Sequence, residues 1–258
     1  MRGIIIKDDK RYDHTQSYLE RAGHVFCGHE AAAQSLDFVI FPFAAEVDKT
    51  TYNVDFFAAL RSDTLIFSGI KHDWIDKNCR LLGLCYHVLM ESRDVAAKNA
   101  VPTSEGVLAY LINNRDETIA GSRVLVVGYG ICGRDLARRL GGLGADVTTL
   151  VRRELKEQEA QSDGFHAIYA AQFDTESYDI IINTVPQTIL TPPMLEGRDG
   201  TLFIDIASKP YGLDMDVCKR LNPLSALLSG IPGKHAVKTA GEILGEHIRQ
   251  VMEGKHNE

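Results

Sequence analysis

A glycine-rich turn joins two segments of different periodicity in the middle of the chain. Residues 128–133 read Gly-Tyr-Gly-Ile-Cys-Gly, after the apolar run Val124–Val127 and before a helical pattern over 134–143. A β-rich run over 145–153 follows, so that strand, turn, helix and strand lie within about thirty residues. In this context the Gly-x-Gly-x-x-Gly match predicts a Rossmann dinucleotide-binding unit.

Each glycine of the turn has a physical task. Gly128 permits the tight turn, Gly130 lets the backbone approach a pyrophosphate, and Gly133 lets the helix pack closely on the strand. The start of the helix then faces the phosphates. The predicted pyrophosphate site is the whole turn, namely Gly128, Tyr129, Gly130, Ile131, Cys132 and Gly133.

The end of the second predicted strand bears on which dinucleotide is bound. An acidic side chain there would accept hydrogen bonds from a ribose 2′-hydroxyl and repel a 2′-phosphate, but this chain has Val151, Arg152 and Arg153. Two guanidinium groups can bind a 2′-phosphate through charge-assisted hydrogen bonds and stack on adenine. We therefore predict NADP, with NAD as the alternative. The pair could also be a solvated strand end, because Glu154 and Lys156 follow it.

A loop further along the chain completes the predicted nucleotide site. In open α/β sheets ligands lie at the carboxyl ends of the strands. One apolar run, residues 178–183, ends at Asn183 and is followed by Thr184, Val185 and Pro186. The polar groups of this loop can lie beside a nicotinamide ring, while the proline fixes its path. We predict that Thr184, Val185 and Pro186 contact the nicotinamide. An ordinary turn is the alternative for the loop taken alone.

Length, charge and cysteine usage limit the class of protein. A chain of 258 residues favours two modest domains over one large domain, and a formal net charge of -7 argues against nucleic acid as a partner. The five cysteines never form a Cys-x-x-Cys pair, which indicates reduced thiols and no metal site. No apolar window approaches the ~20 residues of a membrane span. We expect a soluble, cytoplasmic protein with no membrane partner.

The order of strand and helix patterns predicts the fold class. Apolar runs alternate with helical segments both before and after the glycine turn, which implies two Rossmann-like, doubly wound parallel-sheet α/β domains. The predicted domains are a flavodoxin/Rossmann-like substrate domain, 1–98 plus 239–258, and an NAD(P)-binding domain, 99–238. A helix predicted to begin at Pro102, with Thr103 as its cap, links them.

Two segments are candidates for the substrate site. Thr103 and Ser104 offer hydroxyls beside the free N–H groups of a predicted helix start, which suits a carboxylate, although they could be only a capping motif. Lys238 is a third candidate for carboxylate binding, although the loop that contains it could be only an exposed segment before a helix. Glu105 and His235 are the candidates for acid/base chemistry.

Taken together, these segments resemble one family, the A subunit of dipicolinate synthase, which in sporulating bacteria makes pyridine-2,6-dicarboxylate. Two-domain 2-hydroxyacid and shikimate dehydrogenases share parts of the pattern, but the order and combination of the segments are more specific. The resemblance covers most of the chain. It is strongest in residues 91–106, 128–133, 182–186, 205–210, 230–233 and 237–241.

The resemblance implies a two-electron oxidation of a dihydrodipicolinate-type ring from the lysine pathway, with NADP as hydride acceptor. It also implies a small dicarboxylate substrate, a flavoprotein-like B subunit of dipicolinate synthase as partner, and a place in the mother cell of a sporulating bacterium. We further expect a homo-oligomer, although no residue pattern specifies one. Two alternatives stay open: another two-domain NAD(P)-dependent 2-hydroxyacid or shikimate-type dehydrogenase, and a non-catalytic NADP-binding protein.

Overall fold

The computed structural model describes residues 1–175 and 177–254, without the side chains of 174 and 175. The chain divides into two compact units. The first consists of residues 1–99 together with the C-terminal segment that begins at Pro232, and the second spans Ala100–Ile231. Among the described residues no helix combines the length and the apolar character needed to cross a bilayer.

The first unit contains a five-stranded parallel sheet. Its strands are β1 (Arg2–Ile5), β2 (Val25–Phe26), β3 (Phe38–Ile40), β4 (Leu65–Ser68) and β5 (Cys85–Val88), in the spatial order β2-β1-β3-β4-β5. The middle strand is wholly buried, as is typical of parallel sheets that are covered on both faces. Four helices follow these strands in the sequence: α1 (Arg11–Arg21), α2 (Val54–Ala59), α3 (Asp73–Leu82) and α4 (Arg93–Asn114), the last of which belongs to the second unit from Ala100 onward.

The second unit contains a six-stranded parallel sheet in the order β11-β10-β9-β6-β7-β8. Its strands are β6 (Arg123–Val127), β7 (Asp146–Leu150), β8 (His166–Ile168), β9 (Ile180–Asn183), β10 (Leu202–Asp205) and β11 (Ala226–Leu227). Its helices are α5 (Ile131–Gly142), α6 (Glu154–Ser162), α7 (Pro192–Leu195) and α8 (Met215–Leu221). All strand pairs are parallel, and β6, β9 and β10 form its buried centre. The predicted fold class, two parallel-sheet α/β domains, is confirmed.

Two helices carry the chain back to the first unit. They are α9 (Ile231–His235) and α10 (Val237–Met252). Small residues let α10 lie very close to α1: a Cβ at Gly241 would overlap the carbonyl oxygen of Arg11, and the Thr15 hydroxyl donates a 2.9 Å hydrogen bond to the Gly241 carbonyl. The division into compact units places residues 232–238 in the first unit, whereas we predicted them in the second.

The prediction that a helix begins at Pro102 is wrong. The helix α4 begins at Arg93, nine residues earlier, and Pro102 lies inside it. The Ser92 carbonyl accepts from the Ala96 N–H at 2.9 Å, and the Ser92 hydroxyl lies 3.5 Å from the Val95 N–H. A serine at this end is a favourable cap, and a single proline costs the helix one backbone hydrogen bond without ending it.

Candidate nucleotide-binding site

The glycine turn is formed where β6 ends and α5 begins. Gly128 has a φ of +95°, which only glycine adopts readily, and a Cβ there would overlap Val185. A Cβ at Gly133 would overlap the carbonyl oxygen of Gly128. The helix, the turn and the loop that contains Val185 therefore pack so closely that neither Gly128 nor Gly133 has room for a side chain.

Gly130 differs from these two glycines. No heavy atom of the described residues lies within 4 Å of the position that a Cβ at Gly130 would take, so the backbone borders open space. Gly130 is also the N-cap of α5 and has no side chain to accept a hydrogen bond from the first turn. The N–H groups of Ile131, Cys132 and Gly133, in that first turn, are suited to an anion such as a pyrophosphate.

A cavity of about 320 Å³ lies beside this turn, at the carboxyl ends of β6, β7 and β9. It brings together eight of the eleven residues predicted to bind the nucleotide: Gly128, Tyr129, Gly130, Arg152, Arg153, Thr184, Val185 and Pro186. The other three, Ile131, Cys132 and Gly133, lie in the first turn of α5 and do not line it. The remaining lining residues are Val127, Leu150, Val151, Lys156 and Ile189.

The charged side chains that line the cavity are all basic, although one of them, Lys156, pairs with Glu159 outside the lining. Among the described residues that line it, Arg152, Arg153 and Lys156 are basic and none is acidic. The position that follows β7 is occupied by Val151, whose side chain is buried and whose N–H donates to the Ile168 carbonyl at 2.9 Å. No carboxylate is therefore placed there to repel a 2′-phosphate.

Arg152 reaches across the cavity to the loop after β9. Its Nη1 donates to the Gln187 side-chain oxygen at 2.5 Å. The sheet order places β6 between β7 and β9, so this hydrogen bond joins the two loops on either side of the glycine turn. Arg153 is exposed and is the N-cap residue of α6.

The side chain of Tyr129 has a structural role in the glycine turn. Its hydroxyl donates to Asp163 at 2.6 Å, and the same carboxylate accepts from Arg134 and from Arg138. Hydrogen bonds from Arg134, then from Tyr129 and Arg138, hold the pKa of Asp163 well below its usual range. Burial, together with the Asp163 carboxylate, raises the pKa of Tyr129. The side chain of Tyr129 thus ties the turn to Asp163.

The loop after β9 is fixed by a buried carboxylate. Thr184 donates to the Val127 carbonyl through both its N–H, at 3.0 Å, and its hydroxyl, at 2.9 Å. Asn183 donates to the Val185 carbonyl and to Asp205, which is 0% exposed. The same carboxylate accepts from the N–H groups of Ala207, Gly212 and Leu213 at 2.8 to 2.9 Å.

The sequence did not predict this role for Asp205. The available signal was a single acid at the end of an otherwise apolar strand, where an ionised group requires several partners if it is buried.

Cys132 lies in the first turn of α5. Burial raises the pKa of its thiol, so Cys132 is not an activated nucleophile.

The substrate candidates of the second unit lie inside α4. Thr103 and Ser104 are buried, at 9% and 1% exposure, and the Ser104 hydroxyl has no hydrogen-bond partner among the described residues. Because the helix begins at Arg93, their N–H groups are not those of a helix start, and that part of the argument for them is wrong. Glu105 is exposed and lies 3.4 Å from Arg139.

The remaining candidates belong to the first unit. His235 ends α9, Lys238 lies in the first turn of α10, and both side chains are partly or fully exposed. The structure thus places His235 and Lys238 on consecutive helices of one unit, and Thr103, Ser104 and Glu105 on one helix of the other. In the described part of the chain no cluster of three or more His, Cys, Asp or Glu side chains could hold a metal ion.

The fold and the site define an NAD(P)-binding protein of the dehydrogenase type. Residues 87–199 match the family described as "D-isomer specific 2-hydroxyacid dehydrogenase, NAD binding domain". The A subunit of dipicolinate synthase from Bacillus subtilis (strain 168) is 30% identical to this chain, over 89% of it and 82% of that protein. The chain belongs to the family of dipicolinate synthase A subunits, and the resemblance found in the sequence is confirmed.

Solved structures agree with this assignment. The A chain of dipicolinate synthase from Bacillus subtilis superposes with a TM-score of 0.88 at 27% identity, covering 98% of this chain and 95% of that one. The corresponding protein from Bacillus halodurans gives a TM-score of 0.86 at 26% identity, covering 97% of each chain. Both matches extend over the two units.

Proposed function

We propose that this chain is the dehydrogenase component of a dipicolinate synthase and oxidises a dihydrodipicolinate-type ring with NADP as the hydride acceptor. The ring would give up a hydride and a proton, so that pyridine-2,6-dicarboxylate, NADPH and H⁺ form. Aromatisation of the ring favours this direction. The name of the relatives supports the product, and the family match supports a nicotinamide cofactor.

The observation that carries the choice of NADP is the basic, acid-free cavity beside the glycine turn. Arg152 and Arg153 follow β7, where NAD-binding sites usually carry an acid, whereas Lys156, which also lines the cavity, is paired with Glu159. A 2′-phosphate would gain charge-assisted hydrogen bonds from the guanidinium groups, whereas a 2′-hydroxyl would find no carboxylate to accept its hydrogen bond.

The residues of the site would bind and orient the nucleotide. The N–H groups at the start of α5 would bind the pyrophosphate beside Gly130, and the loop Thr184–Pro186 would hold the nicotinamide ring. When bound, the nicotinamide supplies hydride acceptance. The carbonyl of Val185 is already held by Asn183, and that contact keeps the loop in one conformation before any ligand arrives.

The first unit is proposed as the substrate domain. Thr103, Ser104 and Lys238 are the proposed carboxylate ligands. The ring proton is proposed to pass to His235 or to Glu105. Among the described residues the His235 side chain has no hydrogen-bond partner, whereas Glu105 already contacts Arg139.

The assembly is also a proposal. Relatives are named as the A subunit of an enzyme, which implies a further subunit, and we propose a flavoprotein-like B subunit as the partner. We further propose a homo-oligomer of this chain, located in the cytoplasm of the mother cell of a sporulating bacterium.

The test is a turnover assay with freshly generated 4-hydroxytetrahydrodipicolinate. This compound loses water to give the dihydro ring. Reduced nicotinamide is followed by its absorbance, with NADP or NAD, with and without the candidate B subunit, and pyridine-2,6-dicarboxylate is identified as product. Product formation that requires this chain supports the proposal. Nucleotide binding without product, in the presence of a verified partner, would favour another substrate or a non-catalytic role, and turnover of 2-oxo acids would favour a 2-hydroxyacid dehydrogenase.

A further inference from the structure

We propose that Arg11 is the centre of a carboxylate-binding site in the first unit, and that its ligand is one carboxylate of a small dicarboxylate. The sequence did not single out Asp9, Arg11 or Phe43, which form this site. All residues of the site lie in the first unit. Only the identity of the dicarboxylate rests on the proposed function.

Arg11 is a buried arginine that is held in place along one edge. Its side chain is 9% exposed, and Asp9 accepts from Nε at 2.8 Å and from Nη2 at 2.6 Å. The guanidinium carbon lies 3.6 Å above the centre of the Phe43 ring, and a Cβ at Gly233 would lie 2.8 Å from Nε. A planar cation that is stacked on an aromatic ring and bound to a carboxylate has little freedom to rotate.

The other edge of the guanidinium carries N–H donors that bind no described residue. Nη1 carries two N–H groups, and it makes no hydrogen bond to any residue that the structure describes. Nη1 is reached by solvent, so a carboxylate could replace water there and accept from its N–H groups in the plane of the guanidinium. The pKa of Asp9 is lowered by its hydrogen bonds from Arg11, so the acid that holds the guanidinium remains ionised.

The location is the place where sheets of this type bind ligands. The order β2-β1-β3-β4-β5 has its switch point between β1 and β3, because the chain leaves β1 toward β2 and then returns to the other side. Ligands bind outside the carboxyl ends of the strands at such a point. Arg11 follows β1 in the chain and Phe43 follows β3, so their contact spans the switch point.

A second acid in the same loop is engaged by backbone groups. Asp8 accepts from the N–H groups of Phe43, Ala44 and Ala45, so its oxygens are occupied by these donors and not by the guanidinium of Arg11. The segment that supplies Gly233 continues with Lys234, His235 and Lys238, which add positive charge to this part of the first unit.

Geometry favours a carboxylate over other anions. The free edge of one guanidinium, fixed by stacking, matches the planar, two-oxygen group of a carboxylate. A small ring that carries two carboxylates would gain affinity from this contact at one end while its other end meets different residues. The affinity contributed by the second carboxylate is therefore the quantity to measure.

The experiment compares pyridine-2,6-dicarboxylate with pyridine-2-carboxylate, which lacks one carboxylate. Binding of each to the full-length chain is measured by titration calorimetry for the wild type and for Arg11→Ala, Arg11→Lys and Asp9→Asn. We expect the wild type to prefer the dicarboxylate by roughly 10- to 100-fold, the scale of a hydrogen-bonded charged pair. In Arg11→Ala this preference should fall to about threefold or less.

The control is Arg21→Ala, which removes an exposed arginine of the same helix that pairs with Glu242. It should keep the wild-type preference. Far-UV circular dichroism and urea unfolding of the full-length chain serve as the test of folding for every variant, because the substitutions lie in the first unit. If Arg11→Ala does not fold, the proposal is tested with Arg11→Lys and Asp9→Asn, which keep the approximate volume of the side chains. Both should reduce the preference for the dicarboxylate.

Two results would overturn the proposal. One is a wild type that binds neither acid, and the other is a folded Arg11 variant that keeps the full preference for the dicarboxylate. The outcome is separate from the fate of the proposed function. If the preference depends on Arg11 but the dihydro ring is not turned over, the carboxylate site is supported and the proposed reaction is refuted. If the dihydro ring is turned over but folded Arg11 variants keep the preference, the reaction is supported and the carboxylate site is refuted.

Discussion

Arg152 Nη1 donates a 2.5 Å hydrogen bond to the side-chain oxygen of Gln187, and this contact joins the loop after β7 to the loop after β9. The guanidinium is thereby held in the lining of the cavity beside the glycine turn. A side chain that is restrained before the ligand arrives loses less entropy on binding. The relationship also explains why an exposed arginine at a strand end is not simply solvated.

Nucleotide preference should depend on the two arginines that follow β7. For Arg152→Ser combined with Arg153→Ser we expect the Kd for NADPH to rise roughly 10- to 100-fold, because charge-assisted hydrogen bonds to the 2′-phosphate are lost. The Kd for NADH should change little. Nucleotide fluorescence titration checks both values.

The matched control for this pair is Arg220→Ser. Arg220 is another exposed arginine of the second unit, paired with Glu196 at 2.6 Å. It should leave both Kd values unchanged. An equal loss of affinity for NADPH and NADH in the double variant would show that the arginines do not recognise the 2′-phosphate.

The close packing of the glycine turn predicts a sharp contrast between two glycines of α5. Gly133→Ala should destabilise the protein by about 1 to 3 kcal/mol and weaken nucleotide binding, because the added methyl group overlaps the Gly128 carbonyl. Gly142→Ala adds the same methyl group where no described atom beyond its chain neighbours and its own helix backbone lies within 4 Å, and it should leave stability unchanged or slightly raised. Denaturant unfolding and nucleotide titration measure both effects, and similar stabilities for the two variants would refute the packing argument.

The glycine turn could be predicted from the sequence because its determinants are local. The positive φ of Gly128 and the contact of Gly133 with the Gly128 carbonyl involve residues that are close in the chain, and only the contacts of these glycines with the loop after β9 are long-range. The start of α4 was mispredicted because Pro102 and Thr103 form a plausible helix start, while the serine that caps the helix lies ten residues before Pro102. A local pattern cannot say which of two adequate caps the folded chain uses.

The contacts that fix the site could not be predicted, because their partners are distant in the sequence. Tyr129 and Asp163 are separated by 34 residues, and Arg152 and Gln187 by 35. Sequence patterns place residues at strand ends, but which side chains then meet depends on strand order. The order β9-β6-β7 brings these loops side by side.

The Asp163 cluster predicts a specific pH dependence of stability. The pKa of Asp163 is lowered in the folded protein by hydrogen bonds from Arg134, Tyr129 and Arg138. Its stabilising contribution is therefore complete above the unfolded-state pKa of about 4, and is lost as the pH falls from there toward the lower folded-state pKa. The difference in free energy of unfolding between the wild type and Asp163→Asn should be largest at neutral pH and shrink on acidification.

This difference is measured by urea unfolding across the acidic range. Asp135→Asn is the control, since Asp135 forms an ion pair with Arg139 within α5 and contacts neither Tyr129 nor Asp163. Its effect should be small throughout. A wild-type advantage over Asp163→Asn that stays constant down to low pH would contradict the assignment. Asp163→Asn should also weaken nucleotide binding, because Tyr129 then loses the acceptor that fixes the turn.

The buried carboxylate of Asp205 makes the strongest prediction, because four donors converge on it. Asn183 and the N–H groups of Ala207, Gly212 and Leu213 all bind this group, which is 0% exposed. Asp205→Asn keeps the shape but turns one acceptor oxygen into an amide nitrogen that faces N–H donors. We expect a loss of roughly 3 kcal/mol in the free energy of unfolding, the scale for unsatisfied buried partners of a charge.

The effect of Asp205→Asn should reach the nucleotide site through one shared residue. Asn183 binds both Asp205 and the Val185 carbonyl, so a shift of its amide moves the loop that lines the cavity. The Kd for both NADPH and NADH should therefore rise together, unlike the selective change expected at Arg152 and Arg153. Asp199→Asn, at an exposed position of the same unit, should alter neither stability nor binding. A variant of Asp205 with wild-type stability would mean that the four hydrogen bonds are not maintained in solution.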